Sequence, residues 1–353
     1  MTIRVLIVDD SPTMRKALTV MLSSEEDIEV VAAAKDAAEA RMLIKQLDPD
    51  VVTLDIVMPG MDGLSFLEKI MKLRPTPVVI VSGTTSEGAQ ATTQALQLGA
   101  VDCYSKEAIG RTKPCYDGGE LAQLVREAAS VRFVRRSANH APPAHHAPIA
   151  PRHAHTRPDL IAIGSSTGGI EALHKLLSGF PADCPPTLIV QHVNESFAPA
   201  IVQSLDRATR PRVMLAESDI PLQPGNILFA PGGEKHLAVA KAGNRGYRSV
   251  LRSGGLVSGH RPSVDWLFSS VATVFGANSL GILLTGMGAD GAQAMREMKD
   301  AGARTIAQDE ASCVVFGMPR AAISLGAVSE TLSLDTIAGA IFAGARTPEG
   351  ACR

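Results

Sequence analysis

Aromatic residues are scarce in this chain of 353 residues, at 4% of the total with a single Trp. That leaves little material for base-stacking platforms or aromatic cages. A dominant charge is lacking as well. The formal net charge is −2, which argues against a dedicated nucleic-acid binder. No apolar run approaches the roughly 20 residues needed to span a bilayer. The N-terminal stretch Ile3-Arg4-Val5-Leu6-Ile7-Val8-Asp9-Asp10 reads as a buried strand ending on two carboxylates, not as a signal peptide. Cysteines are few and odd in number: Cys103, Cys115, Cys184, Cys313 and Cys352 are scattered without C-x-x-C spacing. That excludes a disulfide framework and a zinc site of the usual spacing, so a reduced, cytoplasmic monomer without nucleic-acid binding or membrane insertion is expected.

What the chain does have is alternation. The length suggests roughly two domains. In the first, strand candidates Arg4–Val8, Glu29–Ala33, Val51–Leu54, Pro77–Val81 and Asp102–Tyr104 are separated by helical patterns such as Ser11–Ser23. Short β-branched strands between helices imply a parallel sheet covered on both faces. This domain is expected to span residues 1–129. Residues 130–158 carry Arg132, Arg135 and Arg136, then a tract of Ala, Pro and His with five of the nine histidines, and read as a flexible solvated linker. A second α/β domain, doubly wound and mostly parallel, is expected over 159–346. Its strand candidates are Leu160–Ile163, Thr187–Gln191, Asn226–Phe229, Leu237–Ala240 and Ser279–Leu284. Residues 347–353 read as a frayed tail.

Within the second domain, Leu160–Ile163 runs into Gly164-Ser165-Ser166-Thr167-Gly168-Gly169. The string fits the G-x-S-x-G elbow that lifts a nucleophilic serine clear of a sheet. Alone, it also fits a phosphate cradle at a helix N-terminus. Ser166 holds the central position and Ser165 reads as a turn residue. A serine nucleophile needs a base and an orienting carboxylate. His192 follows the apolar run 187–190, and Asp290 lies in Thr285-Gly286-Met287-Gly288-Ala289-Asp290-Gly291, just after another strand candidate. Three such groups at carboxyl ends of parallel strands favour the nucleophile. The order Ser, His, Asp is not that of α/β-hydrolases. Backbone N–H groups near Thr167 and Met287 are candidates for an oxyanion site.

In the first domain, Asp9 and Asp10 end the first strand, Asp55 the third, Ser82 the fourth and Lys106 the fifth. Converging carboxylates call for a hard cation such as Mg²⁺. Together with Asp55-x-x-Met58-Pro59-x-Met61-Asp62-Gly63 and Gly99-Ala100-x-Asp102, they make residues 3 to about 125 resemble the receiver domain of bacterial response regulators, with a flavodoxin-like fold. The resemblance implies that Asp55 is phosphorylated, that Asp9, Asp10 and Asp55 bind Mg²⁺, and that Ser82 and Lys106 form the switch. Two positions depart from the pattern: Glu107 follows the lysine where proline is usual, and Cys103 stands where an aromatic residue is common.

The second domain, through the Ser166 string, Gln191-His192, Gly259-His260-Arg261-Pro262-Ser263-Val264-Asp265 and the Asp290 loop, resembles the catalytic domain of the chemotaxis protein-glutamate methylesterases (CheB). The resemblance implies Ser166 as nucleophile, His192 as base and Asp290 as its orienter. It implies hydrolysis of glutamate methyl esters, and deamidation of selected glutamines, on methyl-accepting chemotaxis receptors, with a chemotaxis histidine kinase as phosphodonor. No cofactor is implied for the hydrolysis. His260 and Arg261 either border the substrate cleft or pack the loop. A receiver-controlled docking module without turnover, and an esterase acting on another partner, are the competing readings.

Overall fold

The computed structural model describes residues 2–58, 61–111, 119–131, 157–243 and 246–342. The linker histidines, the linker arginines and the C-terminal tail named above lie outside these residues.

The first domain alternates as its apolar pattern dictates: β1 (Ile3–Val8), α1 (Pro12–Ser23), β2 (Ile28–Ala34), α2 (Ala37–Leu47), β3 (Val51–Leu54), the short pair β4 (Val57–Met58) and β5 (Met61–Asp62), and α3 (Gly63–Leu73). It continues with β6 (Val78–Ser82), α4 (Ser86–Gln97), β7 (Asp102–Ser105), α5 (Lys106–Arg111) and α6 (Gly119–Ser130). Helix starts follow local chemistry. Ser11 caps α1 by accepting the Met14 N–H at 3.3 Å, and Pro12 opens that helix, where its missing donor costs nothing. The sheet is parallel throughout, in the order β2-β1-β3-β6-β7. Its order reverses between β1 and β3, so the carboxyl ends of those strands frame a crevice. Lys106 opens α5, one residue past the strand it was expected to end, and α6 runs to Ser130, one residue past the expected domain limit.

The second domain contains β8 (Leu160–Ser165), α7 (Gly169–Ser178), β9 (Thr187–Gln191), α8 (Ala198–Ala208), β10 (Arg212–Leu215), β11 (Asn226–Phe229), β12 (Lys235–Lys241) and β13 (Tyr247–Ser253). It closes with α9 (Val264–Phe275), β14 (Ser279–Leu283), α10 (Ala292–Asp300), β15 (Arg304–Gln308), α11 (Met318–Ser324), β16 (Glu330–Leu332) and α12 (Leu334–Phe342). Seven strands form a parallel sheet in the order β10-β11-β9-β8-β14-β15-β16. From β8 the chain first winds through β9 to one edge, then returns through β14 to the other. The switch point is thus between β8 and β14. β12 and β13 pair with each other as an antiparallel hairpin outside this sheet.

β8, β9 and β14 are buried along their whole length, as strands covered on both faces must be. On α7, Ile170, Leu173, Leu176 and Leu177 are all buried, the face their spacing predicts. Ser165 is the last residue of β8, fully buried, and not a turn residue. Its hydroxyl donates to Gln191 Oε1 at 2.6 Å across the β8–β9 pair. That bond explains how a hydroxyl is tolerated in the core.

The two domains touch. Helix α4 packs against α7 and α8, with the Gln97 side-chain amide 2.8 Å from both His174 Nε2 and Ser204 Oγ. The Gly168 N–H donates to the carbonyl of Val101, just before β7, at 3.3 Å.

Candidate active site

Three loops at the carboxyl edge of the larger sheet bring Ser166, His192 and Asp290 together. Ser166 follows β8, and its N–H donates to the Thr285 carbonyl after β14 at 3.0 Å. The chain then turns through Gly168 at φ +74° into α7, a conformation that a Cβ would strain. Opposite, a Cβ on Gly286 would meet Ser166 Cβ at 2.7 Å and Met318 Sδ at 2.4 Å, so only glycine lets the β14 loop approach the serine. The Gln191 side-chain amide donates to the carbonyls of Ser166 at 2.8 Å and His192 at 3.0 Å. One buried amide thus fixes the serine loop relative to the histidine loop.

His192 Nε2 lies 2.8 Å from Asp290 Oδ2, and Nδ1 is buried without a hydrogen-bond partner among the described residues. Asp290 lies in the loop between β14 and α10, and its carboxylate faces the N-terminus of α9. It accepts hydrogen bonds from the Ser263 hydroxyl at 2.7 Å, the Val264 N–H at 2.7 Å and the Asp265 N–H at 3.1 Å. Burial pushes its carboxyl up, but the bonds from His192, Ser263 and Val264 outweigh burial and hold the pKa below the usual carboxylate range. The neighbouring Asp265 moves the other way, raised by burial and by the charge of Asp290 against the bond from the Ala294 N–H. An ionised Asp290 accepting from Nε2 requires the proton on that nitrogen. The basic lone pair of His192 is then on Nδ1.

His260 stacks on His192 with ring centres 3.7 Å apart and an angle of 7° between planes. Burial first, and the His192 ring second, lower its pKa to about 4. Arg261 donates to the carbonyls of Gly233 at 3.2 Å and Gly254 at 3.1 Å, so it packs the loop as well as lining the cleft. Ser166, His192, His260 and Arg261 border a cleft of about 560 Å³ whose opposite wall is the first domain, including Asp102, Gln123 and Glu127. Ser166 is 7% exposed. The N–H groups of Thr167 and Met287 meet no acceptor among the described residues.

Sequence reading missed three contributors. Gln191 was visible only as the residue before His192. Ser263 follows a proline with no local signal of a role, yet its hydroxyl reaches Asp290. His236 is fully buried, donates from Nε2 to the Gly255 carbonyl at 2.8 Å, accepts the Ser263 N–H at 3.2 Å, and stacks on Trp266. No spacing in the chain links it to the site.

The second cluster lies at the switch point of the smaller sheet. One carboxylate oxygen each from Asp9, Asp10 and Asp55 falls within 4.8 Å of the others. Asp9 and Asp55 are buried and Asp10 exposed. Lys106 Nζ is 2.6 Å from Asp55 Oδ2 and 2.8 Å from Asp9 Oδ2. Burial raises the Asp55 carboxyl despite that lysine, whereas the two carboxylates raise Lys106 despite its own burial. Three carboxylate oxygens this close form an all-oxygen donor set, and one lysine cannot neutralise three negative charges, so the cluster fits a hard divalent cation. Ser82 is fully buried at the end of β6.

Fold and sites together define a class: a five-stranded parallel α/β domain with an acidic cluster at its switch point, joined to a seven-stranded α/β domain whose cleft gathers a serine, a histidine and a buried aspartate. Comparison with known proteins makes it particular. Residues 161–341 match the CheB methylesterase family and residues 5–111 the response regulator receiver domain. A protein-glutamate methylesterase/protein-glutamine glutaminase of Caulobacter vibrioides is 49% identical over 342 residues, covering 96% of this chain and 97% of that protein. One of Rhizobium etli is 50% identical, covering 95% and 94%. The crystal structure of the Thermotoga maritima CheB methylesterase catalytic domain matches with a TM-score of 0.51 at 31% identity, covering 52% of this chain and 97% of that one. The chain belongs to the CheB methylesterase family, in the form that carries a receiver domain.

Proposed function

We propose that this chain hydrolyses the side-chain methyl esters of glutamates, and the side-chain amides of selected glutamines, on chemoreceptors, with Ser166 as nucleophile. The observation that carries the assignment is the His192–Asp290 bond through Nε2, which leaves a buried, unpartnered Nδ1 in the cleft that Ser166 lines. His192 Nδ1 takes the Ser166 hydroxyl proton as Oγ attacks the ester carbonyl. The Thr167 and Met287 N–H groups receive the oxyanion. The same proton passes to the departing methanol, or to ammonia from an amide, leaving a glutamyl ester on Ser166. Water then attacks it, His192 again takes and returns a proton, and the free glutamate leaves. Asp290 keeps its charge throughout and stabilises the imidazolium.

In the receiver, Asp55 accepts a phosphoryl group from a histidine kinase. Asp9, Asp10 and Asp55 are the residues that would hold Mg²⁺, which when bound supplies positive charge beside the phosphoryl oxygens. Lys106 neutralises the same oxygens from the protein side, and Ser82 answers the phosphoryl group. We place the receiver at residues 1 to about 130, a linker from there to 158 and the esterase at 159–346, the whole acting in the cytoplasm. Contacts across the cleft favour a resting form in which the receiver covers Ser166.

Methanol release from methylated receptor membranes tests the assignment. Ser166→Ala is expected to lower the rate by about 10³-fold or more. Equal rates for the two proteins would overturn it.

A further inference from the structure

The two N–H groups assigned to the oxyanion belong to the Ser166–Thr167 and Gly286–Met287 peptides, and both units are held in the same way. The Ser166 carbonyl accepts the Gly169 N–H at 2.7 Å and the Gln191 side-chain amide at 2.8 Å. The Gly286 carbonyl accepts the Gly317 N–H at 3.0 Å and the Met318 N–H at 2.8 Å. Both lone pairs of each carbonyl are therefore used. A trans peptide is planar, so its C=O and N–H point in opposite directions, and clamping one aims the other. A carbonyl that accepts two bonds also draws electron density from its own N–H, which makes that N–H a stronger donor.

Three of the four donors are backbone groups. The fourth, Gln191, is a side chain only 3% exposed. Ser165 and Gln191 are register partners on β8 and β9, and the Ser165 hydroxyl donates to Oε1 at 2.6 Å. That bond marks Oε1 as the accepting end and turns Nε2 to the Ser166 and His192 carbonyls, 2.8 and 3.0 Å away. Gly169 makes the room, because a Cβ there would overlap Oε1. We infer that Gln191 is a positioning residue for the oxyanion: through the Ser166 carbonyl it aims and strengthens the Thr167 N–H, and Ser165 fixes which end of the amide does so. The inference rests on the Ser166 reading and adds to it a side chain whose effect grows as charge builds on the substrate carbonyl oxygen. The neutral ester gains little from a stronger N–H and the oxyanion gains much, so the amide serves kcat more than binding.

The test uses the full-length chain and methylated receptor membranes. Gln191→Met keeps the length of the side chain and removes both amide protons. It is expected to lower kcat about tenfold with KM unchanged within about twofold, less than the roughly 10²-fold or more that loss of a whole oxyanion donor costs. Propylboronic acid carries boron where the glutamyl side chain has its carbonyl carbon. Ser166 Oγ bonds to that boron as His192 takes its proton, and the resulting tetrahedral anion puts an oxygen at the oxyanion position. Its inhibition constant is expected to rise by the same factor as kcat falls. An unchanged kcat, an unchanged boronate constant, or a KM that rises as far as kcat falls overturns the inference, the last because it marks a role in folding the loops alone. Ser165→Ala is the milder variant, expected to lower kcat about threefold by itself and not at all beyond Gln191→Met. No fall in Ser165→Ala, or losses that multiply, overturns the inference as well. Loss of methanol release in Ser166→Ala beside an unaffected Gln191→Met would leave the proposed function standing and remove this inference alone; release from Ser166→Ala equal to wild type would remove both.

Discussion

At the scale of single residues, His260 shows how the site sets protonation by packing. Its ring lies flat on His192 and has a pKa near 4, against an ordinary value of about 6.5. The unfolded chain accepts a proton on this ring as pH falls through 6.5, while the folded chain refuses it until about 4. The contribution to stability is therefore complete above pH 6.5 and is lost progressively between 6.5 and 4. His260→Phe keeps a flat ring and removes the titration, so its thermal midpoint should fall less steeply over that interval; identical slopes would show that the stacked ring does not titrate. Ser166, His192 and Asp290 each follow an apolar strand pattern, and parallel strands gather their carboxyl ends, which is why the sequence already places Ser166 and His192 on one cleft and Asp290 beside His192. Gln191, Ser263 and His236 were not legible in it. Each acts through a bond to a partner distant in sequence, and no local period records such a bond.

At the scale of elements, Glu107 replaces the proline usual after the receiver lysine, and the structure gives it work. Its carboxylate accepts the Thr84 N–H at 2.9 Å and the Ser105 hydroxyl at 2.7 Å, tying the loop after β6 to the end of β7. Burial alone would raise its pKa, but the bonds from Thr84 and Ser105 outweigh it and bring the value down to about 2. Glu107→Ala should lower the unfolding free energy by about 1 kcal/mol, the worth of a net hydrogen bond or two at a partly exposed site. Glu107→Gln, which can still bond both partners, should cost less than half of that in urea titrations. Strands were legible in proportion to burial. β1, β3, β8 and β9 are near-continuous apolar runs. β10 and β16 are short edge strands, and β15 carries Thr305 and Gln308, buried only because they bond to the Ala327 and Ser312 carbonyls. Such strands have no distinct pattern to read.

At the scale of the whole molecule, the two switch points are separate sites on separate sheets, so control requires that one alter the packing of the other. Asp55→Asn removes the carboxylate proposed to accept the phosphoryl group while leaving the Ser166 cleft untouched. Basal methanol release should persist within about twofold, and stimulation by a small acyl phosphate should vanish; stimulation of this variant would move the phosphoryl site elsewhere. The contact between domains also has a geometric consequence. Val101, just before β7, and Asp102, its first residue, touch Gly168 and Thr167 beside Ser166, while Lys106, just past its end, pairs with Asp55. Between them lies one extended strand of roughly 3.3 Å per residue, hydrogen-bonded along β6. A paired strand resists stretching and compression, so it behaves as a strut. A displacement at its lysine end is therefore passed along its length to the Thr167 contact. The contacts at the two ends of β7 thus belong to one stiff element, and a shift at one end is carried to the other without being taken up between them.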